Sequence, residues 1–234
     1  MNLKVLILTN QTTHHAFFIK NLLEADVNVQ VILEEKGGSK SSGSFFQEMQ
    51  AYEKDIFFAG ENQYIDKMVQ SKQVSDINSQ NTLDYLSKNQ FDICYSFGVG
   101  LLKENTLSKL PSMRLNLHGG NIQNYRGLDS HIWSCYHKDL HGFLTTLHIL
   151  SKNLDCGNIV QIGELDLSEI SEMYMIRSLN TRMAIDLVLA NLHAFNKLGS
   201  IISYSQTTKG RYYSRMPESL YEKSARNFHI LKNS

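Results

Sequence analysis

The sequence lacks an excess of charge of either sign, and it lacks a cysteine framework. Lys and Arg together number 23, which equals the number of Asp and Glu, so no overall field attracts a nucleic acid or an anionic membrane. The three cysteines are odd in number and show neither close pairing nor a CxxC spacing, which is typical of a reducing compartment. We therefore predict a cytoplasmic protein without a nucleic-acid partner.

Long apolar runs are also missing. The amino-terminal segment MNLKVLILTN holds a short apolar run, too short for a signal-peptide core or a bilayer span, and no later stretch reaches the length of a transmembrane helix. The chain is thus predicted to be soluble, without a membrane partner. Its 234 residues suffice for one α/β domain with a small appendage.

The familiar phosphate-binding loops are absent. The turn TNQTTHH follows the first predicted strand, where open α/β sheets bind ligands, but it has no glycines, and the chain contains no GxxxxGK[ST]. Asn10, His14 and His15 could face a substrate there. Equally, Asn10, Thr12 or Thr13 could form the turn and cap the next helix.

The sequence gives little support for a zinc site or for a reactive cysteine. His137 and His141 stand four apart, a spacing that suits zinc on a helix, but a third ligand and an HExxH glutamate are missing, so we predict no metal. Cys156 adjoins Asp155, whose charge would raise the pKa of the thiol, and we interpret it as an inert side chain.

Strands and helices alternate along most of the chain. A βαβ unit opens the fold and predicts an α/β protein with a mostly parallel sheet. The Gly- and Ser-rich segment 34–44 is interpreted as a surface loop, with a lid as one alternative. The tail around TKG is interpreted as a β-hairpin. Further predicted elements are helices at 45–69, 81–88 (capped by Asn81 or Thr82) and 168–198, and strands in FDICYSF, RLNLH, FLTTLHIL and NIVQIGELDL.

The densest polar cluster is RLNLHGGNIQNYRGLDSHIW, residues 114–133. Asn116 and His118 are two apart in a predicted strand, so they share one face, with Leu115 and Leu117 on the other. Gly119 and Gly120 then let the chain pass close to a ligand. Taken alone, the Asn-x-His pair could merely satisfy backbone groups at a sheet end, and Asp155 in DCG could merely form a turn.

Together these segments resemble the formyl-tetrahydrofolate-dependent formyltransferases over most of residues 1–200. The family's Asn-x-His, YRG, Thr-x-His and Asp-x-Gly elements match Asn116 and His118, residues 125–127, Thr146 and His148, and Asp155 and Gly157. FGVGLLKE resembles the family's pterin-binding loop. The chain departs from the family by having NIQN without a proline before YRG. The extra carboxy-terminal domain of the methionyl-tRNA enzymes is not expected, which argues against a tRNA substrate.

The loop GLDSHIW most resembles that of the sugar N-formyltransferases, which act on nucleotide-linked amino sugars for surface polysaccharides. This resemblance implies a Rossmann-like core (1–200), a short carboxy-terminal β extension (201–234) that serves as a dimerisation element, a homodimer, and N10-formyltetrahydrofolate as formyl donor. It assigns donor binding to Phe97, Gly98, Val99, Leu101, Leu102, Gly119 and Asp155. It assigns substrate binding to Asn10, His14, Gly120, Tyr125 and Arg126.

The reaction explains the choice of catalytic residues. An amine that attacks a formyl carbon requires a base, for which His118 is suited, and a donor to the developing oxyanion, for which Asn116 is suited, while Asp155 orients His118. Arg126 could hold a phosphate or brace its loop. The alternatives are a formyltetrahydrofolate hydrolase, a phosphoribosylglycinamide formyltransferase, or a non-catalytic binding protein if the three side chains do not converge.

Overall fold

The computed structural model describes residues 3–35 and 43–233, and the segment 34–44 interpreted as a loop therefore lies largely outside the described residues. In chain order the elements are β1 (Lys4–Thr9), α1 (Thr13–Glu24), β2 (Asn28–Glu34), α2 (Ser44–Phe58), α3 (Ile65–Met68), β3 (Ser71–Val74), α4 (Gln80–Lys88), β4 (Ile93–Ser96), α5 (Glu104–Leu107), β5 (Met113–Gly119), β6 (Tyr125–Gly127), α6 (Ser130–His137), β7 (Leu144–Ile149), β8 (Ile159–Glu164), α7 (Ile176–Leu198), β9 (Arg211–Tyr213) and α8 (Tyr221–Lys232).

Seven strands form one sheet in the order β3-β2-β1-β4-β5-β7-β8. The first five are parallel, whereas β7 and β8 are antiparallel to their neighbours. The α/β class with a mostly parallel sheet is confirmed. Because the first five strands run in one direction, the carboxyl ends of β1, β4 and β5 meet at one edge of the sheet, which is where ligands bind in such folds.

Both faces of the sheet are covered. Val5 and Ile7 of β1 point into a core shared with α1 and α7, while Leu6 and Leu8 point into a second core shared with α4 and α5. Because successive side chains enter opposite cores, every residue in this part of the strand is apolar, which explains the continuous apolar run in the sequence. Among the described residues, no helix is both long enough and apolar enough to cross a bilayer.

The tail differs from the predicted hairpin. Tyr204 forms an isolated antiparallel bridge with Ile159 of β8, and β9 pairs in parallel with β6, so the two β segments of the tail bond to the core and not to each other. The tail then ends in α8, which packs on α6. The hairpin prediction is wrong because a pairing across some eighty residues leaves no turn signature in the local sequence.

Two predicted helices are also shorter than expected. The segment 45–69 divides into α2 and α3, because Ala59 and Gly60 adopt positive φ angles and end α2. The helix predicted from residue 168 begins at Ile176 and is preceded by two 3-10 turns. Extended backbone at Ile170 and Glu172 separates those turns, so the apolar spacing there does not indicate a continuous helix.

Candidate active site

A cavity of about 810 Å³ lies over the carboxyl ends of β1, β4 and β5. Its walls come from the turn after β1, the loop after β4, the end of β5, the loop after β7 and the first turns of α6 and α7. Asn116, His118 and Asp155 all line it.

The three predicted catalytic side chains converge. Asp155 lies 3.4 Å from His118 Nδ1 through Oδ2 and 3.5 Å from Asn116 Nδ2 through Oδ1. Asn116 and His118 therefore share one face of β5, as their spacing predicted. A non-catalytic binding protein was the alternative if the three side chains did not converge, and that condition is not met.

The loop after β7 brings Asp155 to this point through an unusual backbone. Asp155 has a φ of 51°, and the Gly127 N–H donates to its Oδ2 at 2.8 Å. Two residues on, a Cβ at Gly157 would lie 1.7 Å from the backbone oxygen of Ile149. Only a glycine allows the loop to pack so closely against β7.

Asp155 is negatively charged in this environment. Burial opposes its ionisation, but His118, His148 and the Gly127 N–H together lower its pKa from 3.8 to about 2. A carboxylate that stays ionised at neutral pH can stabilise an imidazolium on His118.

His118 is buried, and its Nε2 lies between a carbonyl and a hydroxyl. Its Nε2 lies 2.9 Å from the Tyr125 carbonyl oxygen and 3.1 Å from the Ser130 hydroxyl. Burial lowers its pKa below 6.5, although Asp155 and the Tyr125 carbonyl act in the opposite direction. The imidazole is thus held neutral more readily than in water, as a general base must be.

His148 belongs to the same cluster, although we did not assign it to the site from the sequence. It lies opposite Asn116 in the antiparallel pair of β5 and β7, and its Nε2 is 3.1 Å from Asn116 Nδ2 and 3.5 Å from Asp155 Oδ1. Its Nδ1 faces the Ile149 carbonyl at 3.0 Å. The Thr-x-His spacing in a strand carried this signal, because it places His148 on the face of the sheet that bears Asn116.

All of the predicted donor-binding residues line the cavity, namely Phe97, Gly98, Val99, Leu101, Leu102, Gly119 and Asp155. Two polar side chains hold the loop 97–102. The Glu34 carboxylate accepts from the Gly100 N–H at 2.8 Å, and the Asn78 amide donates to the Leu101 carbonyl at 3.0 Å. The exposed Leu101 and the buried Leu102 offer an apolar surface of the kind a flat heteroaromatic ring requires.

The predicted substrate-binding residues separate into two groups. Asn10 and His14 line the cavity, and the Asn10 amide donates to the Gly98 carbonyl at 2.6 Å. Gly120, Tyr125 and Arg126 are not among the lining residues.

Both side chains of the second group bond to protein. The Tyr125 hydroxyl donates to Asp139 at 2.9 Å, and Arg126 donates to the carbonyls of Gly210 and Leu154. Of the two roles left open for Arg126, this geometry matches bracing of the loop.

An ion cluster joins α2 and α7 beside the cavity. Arg177 forms two hydrogen bonds of 2.6 Å with Glu53, which is fully buried, and His14 Nδ1 lies 3.7 Å from the same carboxylate. Arg177, Arg215, Phe45 and Phe46 line the cavity near this cluster, and this part of the site was not predicted. Within the described residues, no group of three His, Cys, Asp or Glu side chains is placed to hold a metal ion.

No protein-family model matches the sequence. The bifunctional polymyxin resistance protein ArnA of Wigglesworthia glossinidia brevipalpis is 32% identical over 98 residues, which make up 40% of this chain and 14% of that protein. The aligned stretch is therefore a small part of this relative's length.

Solved structures match nearly the whole chain at low identity. The N-formyltransferase of Helicobacter canadensis, in complex with folinic acid and dTDP-3-aminofucose, has a TM-score of 0.63 at 14% identity, over 99% of this chain and 82% of that one. PseJ of Anoxybacillus kamchatkensis, a formyltransferase in complex with UDP-4,6-dideoxy-4-formamido-L-AltNAc and tetrahydrofolate, scores 0.56 at 16% identity over 94% and 89%. A 4-N formyltransferase of Francisella tularensis scores 0.59 at 17% identity over 91% and 76%. This chain therefore has the fold of the sugar N-formyltransferases.

Proposed function

We propose that this protein is an N-formyltransferase that moves the formyl group of N10-formyltetrahydrofolate to the amine of a nucleotide-linked amino deoxysugar. The observation that carries the proposal is the meeting of Asn116, His118 and Asp155 around one carboxylate, at the edge of the sheet where this fold binds its ligands. Acceptors of this class include dTDP-4-amino-4,6-dideoxyglucose and GDP-perosamine.

Asn116 supplies the donor for the carbonyl oxygen. As the amine adds to the formyl carbon, negative charge develops on that oxygen, and an amide N–H aimed at it stabilises the transition state. Asn116 is half-buried and lines the cavity. Removal of a comparable donor costs about 3 kcal/mol in the barrier, so Asn116→Ala should lower kcat far more than it changes KM.

His118 and Asp155 handle the proton. The nitrogen of the amine must lose a proton as its bond to carbon forms, and His118 has the lowered pKa of a base that is free to accept it. Asp155, at 3.4 Å from Nδ1, stabilises the resulting imidazolium. The protonated His118 can then return this proton to the leaving folate nitrogen, N10.

Two sets of cavity-lining residues suit two different ligands. The loop 97–102 offers apolar side chains and backbone polar groups, which fit a pterin, and the bound cofactor would supply the formyl group. The second set has two arginines and two phenylalanines, which fit a diphosphate and an aromatic base. The ligands named for the Helicobacter canadensis protein, a folate and a dTDP-sugar, support a site that takes one ligand of each kind.

We further propose a pathway, a location and an oligomeric state for this enzyme. The product is used in the biosynthesis of O-antigen or another surface polysaccharide of lipopolysaccharide type, the enzyme acts in the cytoplasm, and residues 201–234 serve as an extension of the core that contributes to a homodimer. Light scattering coupled to gel filtration tests the dimer directly, because the two states differ two-fold in mass.

The decisive experiment offers the purified protein N10-formyltetrahydrofolate and a panel of dTDP-, GDP- and UDP-linked amino sugars. Mass spectrometry then detects the gain of one formyl group. His118→Asn is assayed in parallel, and His229→Asn serves as the matched control because its side chain is half-exposed on α8 and pairs with Glu172, outside the cavity.

Each outcome has a distinct meaning. We expect one acceptor to be formylated by the wild type and by His229→Asn, and not by His118→Asn. Release of formate without any amine would instead identify a formyltetrahydrofolate hydrolase. Formylation of phosphoribosylglycinamide alone would identify the purine enzyme, and failure with every acceptor would reject the transferase.

A further inference from the structure

The neighbours of His118 Nε2 indicate how a proton reaches this nitrogen. The side chain is 6% exposed, and Nε2 faces the Tyr125 carbonyl at 2.9 Å and the Ser130 hydroxyl at 3.1 Å. An imidazole nitrogen has a single site for a proton or a lone pair. The two groups beside Nε2 are thus a carbonyl and a hydroxyl, and of these only the Ser130 hydroxyl can carry a proton.

The neighbours of the ring determine which nitrogen exchanges its proton. Asp155, 3.4 Å from Nδ1, and the Tyr125 carbonyl, 2.9 Å from Nε2, can both only accept. Asp155 is ionised, and a charged acceptor binds an N–H more strongly than a neutral carbonyl, so we expect Nδ1 to keep its proton in both charge states of the ring. The proton that comes and goes is therefore the one on Nε2. When that proton is present, the Tyr125 carbonyl and the Ser130 oxygen can both accept it.

When the proton is absent, the Nε2 lone pair requires a donor. The carbonyl of Tyr125 cannot donate, whereas a hydroxyl can rotate to donate or accept. Ser130 is the neighbour of Nε2 with that property. The serine thus matches both states of the histidine without any movement of the backbone.

Ser130 also occupies the boundary between the histidine and the ligand space. It is the first residue of α6 and lines the cavity, although it is 3% exposed. A Cβ at Gly120 would lie 2.6 Å from Ser130 Cβ and 3.1 Å from His118 Nε2. Glycine at this position therefore keeps the contact between serine and histidine free of a side chain.

We propose that the Ser130 hydroxyl relays the proton of the attacking amine to His118. This inference rests on the proposed transferase function. As the bond from nitrogen to the formyl carbon forms, the amine gives its proton to Ser130 Oγ, and the original hydroxyl proton passes to Nε2. When the bond from the formyl carbon to N10 breaks, one proton returns by the reverse route to N10, and both side chains regain their starting states.

Several ionisable groups surround the ring and must be held constant in a test. Asp155 and His148 approach from the loop after β7 and from β7 itself, and His131 approaches from α6. Substitution of Ser130 removes a neutral group and leaves these three groups in place. A change in the titration of His118 then reports the lost hydroxyl.

The first test is nitrogen NMR of the histidine rings, with the His118→Asn spectrum used to assign His118 among the nine histidines. In the neutral wild-type ring we expect a proton on Nδ1 and a bare Nε2. In Ser130→Ala the pKa of His118 should rise by up to about one unit, the equivalent of one hydrogen bond. Ser134 lies one turn further along α6, and its hydroxyl donates to the Ser130 carbonyl. Ser134→Ala should leave the titration of His118 unchanged.

The second test is kinetic and uses the acceptor identified above. Ser130→Ala should lower kcat about 10²-fold, within the range for loss of a proton-transfer group, with little change in KM, while Ser130→Thr should keep most of the activity. A neutral wild-type ring with its proton on Nε2, or a kcat for Ser130→Ala within about three-fold of wild type, would overturn the relay. If no acceptor turns over, the proposed function fails, and the NMR result alone still decides the pairing of Ser130 with His118.

Discussion

The buried carboxylate of Glu53 allows a prediction that does not depend on the reaction. Glu53 lies on α2 and is fully buried, where it binds Arg177 of α7 through two hydrogen bonds of 2.6 Å. Glu53→Gln keeps the shape of the side chain and removes its charge. The expected result is a loss of stability that depends on pH.

The magnitude follows from the pKa of Glu53. Burial opposes the charge, but Arg177 and His14 outweigh it and lower the pKa from 4.5 to about 2. At about 1.4 kcal/mol per unit, this shift stabilises the folded state by about 3 kcal/mol. Because the folded pKa is the lower one, the stabilisation is complete above pH 4.5 and disappears as the pH falls toward 2.

Urea unfolding measured between pH 7 and pH 3.5 tests the argument. Glu53→Gln should be about 3 kcal/mol less stable than wild type at pH 7, and the difference should shrink to about 2 kcal/mol at about pH 3.5. Glu48→Gln, an exposed change on the same helix, should differ little from wild type. A deficit that is absent at pH 7, or that grows as the pH falls, would show that the charge on Glu53 does not stabilise the folded state.

Three further predictions concern the site. Since burial lowers the pKa of His118 and the base must be neutral, kcat/KM should decrease at low pH with an apparent pKa below 6.5. An apparent pKa above 6.5 for this decrease would contradict the prediction. Gly157→Ala forces a Cβ to within 1.7 Å of the Ile149 oxygen, so we expect a loss of about 1 to 3 kcal/mol in urea unfolding and, because Asp155 moves, a kcat lower by about 10²-fold. Arg126→Lys removes the guanidinium group that donates to two carbonyls, so the free energy of unfolding should fall by about 1 to 3 kcal/mol, while the KM values for donor and acceptor stay nearly unchanged. A raised KM for the acceptor with unchanged stability would instead show that Arg126 binds the substrate.

The parts of the fold that the sequence predicted have local causes. The apolar run at 3–8 and the helix that follows require only periodicity to be recognised, and both are present. The shared face of Asn116 and His118 follows from the two-residue period of a strand. The pairing of Asp155 with His118 was predicted from the resemblance to the formyltransferases, because the local sequence DCG does not indicate where the Asp155 side chain points.

The parts that were missed have causes distant in sequence. The pairing of β6 with β9 joins three residues to three others across some eighty positions, and the short strands carry no periodic signal of their own. Arg177 and Glu53 are separated by 124 positions. Ser130 is an ordinary helix-starting serine in the sequence, and its contact with His118 exists only after α6 packs over the end of β5.

The parallel pairing of β6 with β9 has a consequence for how the site is assembled. Gly127, which gives its N–H to Asp155, lies in the strand that residues 211–213 hold in place. During synthesis the candidate catalytic carboxylate therefore receives this support only after more than two hundred residues have been made. A fragment that stops near residue 200 would contain the seven-stranded sheet and the three candidate catalytic side chains, yet it would lack the strand that holds Gly127 against Asp155. Both segments of the chain therefore contribute to the candidate site.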